Sequence, residues 1–470
     1  MTKALPWTKL QDFYLRLGFL KLLAACLSVE RRSVSIDAIL RCLERPMFES
    51  VGGREALRAD ALLVAATTAK KGAGPRRAEE VEVVECLTAA DRVPSALYAV
   101  TRGTAYKIVD WGRDVEILVR ANQISERGLI LKSLLPTDAA SRFLAGDPLA
   151  WNPFALTASE RMFFLFHALE RDFVTAGLIE RLAEVEPGTC IETREASRMT
   201  CAALFQMLAA TERLPDAASI QAHRTALDLA LTMAYEVEAT VPEHWARHAV
   251  QAQVARATRV AMKRKVATSG KPESGRKTTK NSDHQTIPRF EQLVDLGFLE
   301  KPGADDPDPA VAVVARRRWR YAPTGACRRW AGALRQLGSP FNPGVRFSAF
   351  SRAAVTAFGT SMGTAEHGVE LVDVARRTWE AYAAVGRQVG MTPVDSIALR
   401  AMLDASAEGQ VLEMEWVHRL LLIIKQKSWL TDVVSFAAGS ALDTMFVRLK
   451  PNFVDRIFAV LNELEREWNR

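Results

Sequence analysis

The sequence lacks the features by which membrane and secreted proteins are recognised. None of the apolar runs among its 470 residues approaches the roughly 18–20 residues that a membrane-spanning helix needs. The first apolar segment is interrupted by Asp12, Arg16 and Lys21, which is typical of an amphipathic helix and not of a signal peptide. We therefore expect a protein that has no membrane partner.

Cysteine is also scarce, and the few cysteines are scattered. Their spacing fits neither a disulfide framework nor a metal site. Scattered thiols are typical of the reducing cytoplasm, so we expect a cytoplasmic protein whose cysteines are unpaired. The six residues are Cys26, Cys42, Cys86, Cys190, Cys201 and Cys327.

Enzyme motifs are largely missing. There is no Gly-rich loop of the GxxxxGK[ST] type. His244 and His248 lie one helical turn apart, but no cysteine or further histidine has the spacing of a third metal ligand. A metal-dependent nuclease needs clustered carboxylates, and Asp110 with Glu116 is a thin match. We predict no enzymatic activity, no cofactor and no metal, and keep the nuclease as an alternative.

What the sequence does contain is the composition of a globular protein, with 49% hydrophobic and 25% charged residues. A chain of 470 residues exceeds one compact core, so several domains are expected. We predict a mainly α fold with small β-ribbons. The predicted units are an N-terminal domain (1–136), a helical middle domain (137–266), a basic flexible linker (267–285), a helix-and-ribbon domain (286–340), a helical connector (341–390) and a C-terminal domain with a closing helix (391–470).

Apolar residues recur at helical spacing over most of the chain, and short runs of β-forming residues interrupt them. The predicted helices span 10–27, 36–43, 129–135, 157–182, 194–212, 216–238, 243–266, 326–337, 347–357, 365–387, 394–405, 412–427 and 451–468. The predicted strands span 96–101, 105–111, 115–119, 316–321, 433–436 and 445–449.

The stretch Thr286–Trp330 has the most informative order of elements. Pro288 suits the first turn of a helix, and Gly297 suits the left-handed residue that ends one. Residues 316–321 alternate as in a strand, and Pro323–Thr324–Gly325 turns the chain into another helix. This order resembles the winged-helix module of bacterial and archaeal transcription regulators, over roughly residues 280–335.

A similar order of elements recurs near each end of the chain. The strands predicted up to residue 119 are followed by the polar turn 125–128 and an apolar helix. In the tail, two helices precede the strands 433–436 and 445–449, which a Gly-containing turn connects. We therefore predict tandem winged-helix modules beside the helical middle domain.

Positive charge is concentrated in one segment. Ten Lys or Arg residues and two acidic residues lie between Arg256 and Arg289, a net charge of +8, whereas the whole chain carries +7. A flexible basic segment that leads into a helix suits phosphate binding, which weakens steeply as salt rises. The alternative is a solvated linker whose charge only maintains solubility.

The resemblance also implies which residues contact DNA. In the family, the helix before the Gly lies in the major groove, where Arg can pair with guanine and Gln with adenine. The alternating strand turns its arginines to one face, where they would meet phosphates. The candidate residues are Lys263, Arg264, Lys265, Arg276, Lys277 and Lys280 in the basic segment, Gln285, Thr286, Arg289 and Gln292 on the helix, and Arg316, Arg318 and Arg320 on the strand.

One stretch departs from this resemblance. The loop expected at the tip of the ribbon, Ala304–Pro309, is acidic, so a phosphate backbone would repel it. We predict a non-catalytic protein that binds double-stranded DNA, as a subunit of a larger DNA-processing or phage-defence assembly. The acidic loop favours the alternative, a scaffold whose tandem winged helices bind partner proteins.

Overall fold

The structure, a computed structural model, describes only part of the chain. Within that part helices dominate, which confirms a mainly α fold, and no helix is long and apolar enough to cross a membrane. The predicted strand 96–101, the tip 304–309 and nearly all of the basic segment lie outside the described residues. The described ranges are 7–10, 16–28, 34–48, 102–119, 122–145, 150–212, 217–248, 281–303, 319–337, 350–359, 370–386, 391–430, 432–437 and 445–468.

The helices are numbered in chain order. The first nine are α1 (Gly18–Cys26), α2 (Ile36–Phe48), α3 (Arg102–Asp114), α4 (Glu126–Leu134), α5 (Thr137–Leu144), α6 (Ala158–Arg171), α7 (Phe173–Ala183), α8 (Thr193–Thr211) and α9 (Ala217–Val237). The others are α10 (Asn281–Asp295), α11 (Gly325–Leu337), α12 (Phe350–Phe358), α13 (Leu371–Gly386), α14 (Val394–Ala407), α15 (Met414–Lys425), α16 (Phe453–Ala459) and α17 (Leu461–Trp468). Short 3₁₀ turns lie at Glu243–Trp245 and Ser428–Leu430.

Two antiparallel sheets of three short strands accompany the helices. In each sheet the strand that comes last in the chain lies between the other two. The first sheet has the order β1–β3–β2, and the second has the order β4–β6–β5. The strands are β1 (Ile191–Glu192), β2 (Leu299–Glu300), β3 (Arg320–Pro323), β4 (Thr392–Pro393), β5 (Val434–Phe436) and β6 (Phe446–Leu449).

The first sheet joins two ranges that the sequence assigns to different domains. In its register Ile191 lies opposite Tyr321, and Leu299 lies opposite Pro323. β1 belongs to the predicted middle domain 137–266, whereas β2 and β3 belong to 286–340. Helix α10 also packs against α8 and α9. The described parts of these two ranges therefore form one folded unit, which we call the first unit (residues 172–337).

Helix α10 begins earlier than predicted. It starts at Asn281, so residues 281–285 are helical and not part of a flexible linker. Glu236 on α9 accepts a hydrogen bond of 2.8 Å from the Ser282 backbone N–H, which satisfies one donor at the helix start. Pro288 consequently lies inside the helix and not in its first turn.

The second unit (residues 371–449) follows the predicted elements closely. Helices α14 and α15 and strands β5 and β6 agree with the sequence within about two residues. Val434 lies opposite Leu449 in the register, and Thr392 of β4 lies opposite Val447. Helix α13 packs against both α14 and α15 and completes the unit.

The strand predictions near residue 110 are wrong. Residues 105–111 lie within helix α3, and 115–119 form a turn with a single bridge between Leu118 and Ile124. Gly112 on α3 permits close packing, because a Cβ atom there would lie 2.2 Å from Leu23 of α1. The described part of the N-terminal region is therefore helical without a ribbon.

The expectation that the cysteines are unpaired is also wrong. Cys26, at the end of α1, forms a disulfide with Cys42 of α2, and their Cα atoms are 5.8 Å apart. The remaining described cysteines, Cys190, Cys201 and Cys327, are free. Sixteen residues separate the pair in sequence, so only the packing of α1 against α2 brings the two sulfurs together.

Buried ion pairs fix the N-terminal region on the rest of the protein. Lys21 of α1 donates to Glu160 of α6 at 2.7 Å, and neither side chain is exposed. Arg16 donates to Asp295, the last residue of α10, at 2.7 Å. Because a buried charge is tolerated only with a partner, these pairs tie α1 to α6 and α10.

Candidate nucleic-acid interface

The helix predicted to read DNA bases, α10, is enclosed by other parts of the chain. Helices α8 and α9 pack along it, and the described N-terminal segment Trp7–Leu10 lies beside its polar residues. Residues 285, 286 and 289 are each at most 3% exposed. A side chain that contacts a base edge has to protrude from the surface, so this face of α10 cannot enter a groove as folded.

Arg289 forms the centre of this buried network. Its guanidinium donates to Asp172 Oδ2 at 3.0 and 3.2 Å and to the Thr8 carbonyl oxygen at 2.5 Å. It also donates to the carbonyl of Gln285, one helical turn earlier, at 2.9 Å. Every part of its planar donor group thus faces protein, which is the arrangement of a structural arginine.

Asp172 has two roles in the same network. It precedes α7 as its N-cap and accepts hydrogen bonds from the N–H groups of Val174 and Thr175. Burial raises the pKa of this carboxyl group, and the charge of Arg289 opposes that rise. The ion pair between Asp172 and Arg289 therefore links the start of α7 to the middle of α10.

Gln285 pairs with the N-terminal segment through both ends of its amide. Its Nε2 donates to the Leu10 carbonyl at 2.7 Å, and its Oε1 accepts from the Leu10 N–H at 3.4 Å. Thr286 is buried without a hydrogen-bond partner for its hydroxyl. In this structure the polar atoms of Gln285 and Arg289 are engaged inside the protein and Thr286 is buried, so none of these three predicted DNA contacts is exposed.

The other predicted contacts on this module are only partly described. Gln292 is half-buried, and Arg316 and Arg318 lie outside the described residues. Arg320 is exposed on β3 but pairs with Glu192 of β1 at 3.5 Å. A basic surface formed jointly by the arginines 289, 316, 318 and 320 is thus incomplete. Arg289 is buried, and Arg320 pairs with a carboxylate.

The basic segment cannot be placed in this geometry. Its six candidate contacts, Lys263, Arg264, Lys265, Arg276, Lys277 and Lys280, all lie outside the described residues. Nine Lys or Arg residues and one acidic residue lie between 256 and 280. The charge concentration is therefore unaffected by the burial of Arg289.

The candidate groups for catalysis are engaged in ion pairs. Asp110 accepts from Arg113 at 2.8 Å, and Glu116 accepts from Arg171 at 2.5 Å. His244 pairs with Glu212 at 2.8 Å. Within the described ranges no group of three His, Cys, Asp or Glu side chains could hold a metal ion.

Helix α15 has the position in the second unit that α10 has in the first. It is covered at one point. Arg419 on α15 lies over the ring of Trp468 on α17, with its Cζ atom 5.4 Å from the ring centroid. Leu422, Trp429 and Phe446 of the same unit are 36%, 38% and 37% exposed. The second unit therefore exposes part of three apolar side chains, two of them aromatic, and Arg456 lies over the ring of Trp429 with its Cζ atom 5.8 Å from the centroid.

No protein-family model, curated protein or solved structure matches this chain.

Proposed function

We propose that the protein is a non-catalytic DNA-binding subunit built on two winged-helix modules. The observation that supports the modules is the strand order of the two sheets. In both units a short strand precedes two or more helices and a β-ribbon, and the second ribbon strand pairs with that first strand. This arrangement resembles that of winged-helix domains, and the most familiar function of those domains is to bind DNA.

Binding through phosphates fits the charge distribution better than base reading. The residues expected to read bases, Gln285 and Arg289, are buried, whereas the basic segment 256–280 carries a net charge of +8. Phosphate contacts hold a protein on DNA but carry no sequence information. We therefore expect affinity for double-stranded DNA that depends little on sequence and strongly on salt.

A salt series with a matched pair of variants tests this proposal. The wild-type protein should bind a labelled duplex of about 20 base pairs and lose at least tenfold in affinity between 50 and 200 mM KCl. Replacing Lys263, Arg264 and Lys265 by Ala should reduce the slope of log K against log salt by roughly 2–3. Unrelated duplex sequences should bind within about threefold of one another, because few base contacts form.

The control variant removes cations that are already neutralised. Arg194 pairs with Glu238 at 2.5 Å, and Arg335 pairs with Glu184 at 2.8 Å, so Arg194→Ala with Arg335→Ala should leave the slope unchanged. An affinity for duplex that is independent of salt, or a control that weakens binding as much as the triple variant, would contradict the proposal.

A second candidate function is a scaffold that binds partner proteins. The partly exposed aromatic side chains of the second unit, Trp429 and Phe446, favour the scaffold, since aromatic residues are enriched at protein interfaces. We propose likewise that the protein belongs to a larger DNA-processing or phage-defence assembly. Purification from the native cell tests the scaffold. The scaffold is supported if partner proteins no longer co-purify with the double variant Trp429→Ala and Phe446→Ser while that variant still binds duplex.

A further inference from the structure

Arg161, in the first turns of α6, differs from three other enclosed arginines in the described part of the chain. It is half-buried, yet among the described residues nothing accepts a hydrogen bond from its guanidinium. Arg16, Arg127 and Arg289, which are similarly enclosed, each donate to a carboxylate. A guanidinium carries five N–H donors, and enclosed charges are ordinarily paired. Arg161 therefore has an unused capacity to bind an anion.

The surroundings of Arg161 hold the guanidinium in place without neutralising it. Its Cζ atom lies 5.6 Å from the centroid of the Phe358 ring, at the end of α12. It also lies beside Gly297, where a Cβ atom would be 3.8 Å away. Burial lowers the pKa of Arg161, and no carboxylate opposes that effect. An aromatic face orients a cation but supplies no counter-charge.

A second arginine contacts the same helix end. Arg329 of α11 donates through Nε and Nη2 to the Ala357 carbonyl, at 3.1 and 2.6 Å. Its Nη1 atom lies 3.1 Å from where a Cβ of Gly325 would be. Arg329 is exposed, and within the described ranges the acceptor of its Nε and Nη2 hydrogen bonds is the Ala357 carbonyl and not a carboxylate. The two guanidinium groups thus approach consecutive residues, Ala357 and Phe358.

A second chain of contacts links the two arginines through Gly297, Thr324 and Gly325. Arg161 lies beside Gly297, whose carbonyl accepts a hydrogen bond of 2.8 Å from the Thr324 hydroxyl. Thr324 precedes Gly325, the first residue of α11, over which Arg329 lies. The first turn of α11 contains no acidic residue, and a helix N-terminus favours a negative group. The charges of Arg161 and Arg329 are therefore not balanced by a carboxylate in the first turn of α11.

We infer that Arg161 and Arg329 form a binding site for one phosphate group, which we call the two-arginine site. Planar guanidinium groups bind phosphate oxygens in pairs, and two of them can bind one phosphate from different directions. This inference rests on the proposed DNA-binding function, in which the ligand is a phosphodiester of the duplex backbone. It adds a contact formed by folded elements to the contacts expected of the basic segment.

Single substitutions in the full-length protein test the two-arginine site. Arg161→Gln and Arg329→Gln should each weaken binding of a duplex of about 20 base pairs by 3–10-fold at low salt. Each should also reduce the salt slope by about 1, because one phosphate contact is lost. Arg161→Lys should keep most of the slope, since it retains the charge, which shows that a loss in Arg161→Gln does not come from misfolding. The exposed, ion-paired Arg335→Gln should have no effect.

Two other outcomes separate this inference from the proposed function. If the wild-type protein binds duplex and neither Arg161→Gln nor Arg329→Gln changes affinity or slope, the two-arginine site is overturned and DNA binding stands. If the wild-type protein does not bind duplex, the proposed function fails, and calorimetry with inorganic tripolyphosphate decides the site. Tripolyphosphate binding that Arg161→Gln abolishes retains a phosphate site, and no binding by the wild type overturns it.

Discussion

The first and second units share their strand order, but one buried ionisable group in each, Arg289 and Glu413, differs in how it is satisfied. In the first unit the buried Arg289, 1% exposed, is paired with Asp172 at 3.0 Å. In the second unit Glu413, the N-cap residue of α15, is 8% exposed, and its Oε2 atom has no hydrogen-bond partner. Burial, with a smaller effect of Glu415, raises the pKa of Glu413 to about 8.

This difference shows that one topology can accommodate a buried ionisable group in two ways. The first unit keeps two opposite charges and satisfies them with hydrogen bonds, which makes each charge necessary to the other. In the second unit the buried Arg377 is likewise paired, with Glu408, but Glu413 is a lone carboxyl group, which burial favours in its neutral form. The contribution of Arg289 to stability should therefore depend on its partner, and that of Glu413 on pH.

The largest effect is expected from breaking the ion pair of the first unit. Arg289→Ala leaves the buried Asp172 carboxylate without its partner and should lower the free energy of unfolding by about 3–5 kcal/mol. Arg289→Met combined with Asp172→Asn should cost less than the sum of the two single changes, because no charge remains unpaired. Chemical denaturation measures both. The exposed control Arg335→Ala should lower the free energy of unfolding by less than about 1 kcal/mol. Equal losses in Arg289→Ala and Arg335→Ala would show that the buried pair is no more important than an exposed one.

The next effect concerns the pH dependence of the second unit. The Glu413 carboxyl group has a pKa of about 8 in the folded chain and an ordinary value of 4.5, so the folded state retains the proton over this range. Stability contributed by this group should fall as the pH rises from about 5 to 8. Glu413→Gln cannot ionise and should flatten the profile, with a gain of roughly 1–3 kcal/mol at pH 8. A profile identical to that of the wild type would contradict this prediction.

A smaller effect is expected at the turns that precede the ribbon in one unit and α15 in the other. Gly297 has φ of +78° and Gly409 has φ of +77°. Substitution of either by Ala should cost about 1–2 kcal/mol, because a Cβ atom is strained in this left-handed conformation. Gly332→Ala in α11, where an added Cβ meets nothing within 4 Å, should be neutral or stabilising by about 0.5–1 kcal/mol. Thermal unfolding distinguishes these two directions.

The smallest effect should come from uncovering α15. Trp468 is half-buried against the core, so Trp468→Leu, which keeps apolar packing and removes the aromatic face beneath Arg419, should cost only about 0.5–1 kcal/mol, the usual value of a cation–π contact. It would also expose the helix of the second unit that corresponds to α10. Duplex binding by this variant that exceeds wild-type binding would show that α15, unlike α10, can contact DNA.

The sequence predicted most of the second unit because its helices are amphipathic and its connections are short. It failed for β1, since two residues such as Ile191 and Glu192 carry no periodic pattern and become a strand only by pairing with β3. It failed for residues 105–111 because β-forming side chains there lie on a helix that Gly112 allows to approach α1. Tertiary packing overrides local propensity in such cases.

The candidate site was harder to predict than the fold. Arg289 has the spacing and chemistry of a base-reading residue, but whether its guanidinium is buried or exposed depends on Asp172, which lies 117 residues earlier in the chain. The arginine that remains available, Arg161, lies in an ordinary amphipathic helix and is distinguished only by the hydrogen bonds it does not make. A single sequence gives no signal for either property, because both follow from distant contacts.

The register of the first sheet has a consequence for how the protein is made. Ile191 pairs with Tyr321, so β1 is synthesised well before the strand that completes its hydrogen bonds. At ordinary ribosomal speeds the intervening residues take roughly 6–26 s to emerge. During that interval the nascent chain holds α8 and α9 without the complete sheet, and until residue 295 is made it also lacks α10 to cover them. A chaperone that binds apolar surface should therefore associate with ribosome-bound chains that end before residue 320 and release those that extend beyond α11.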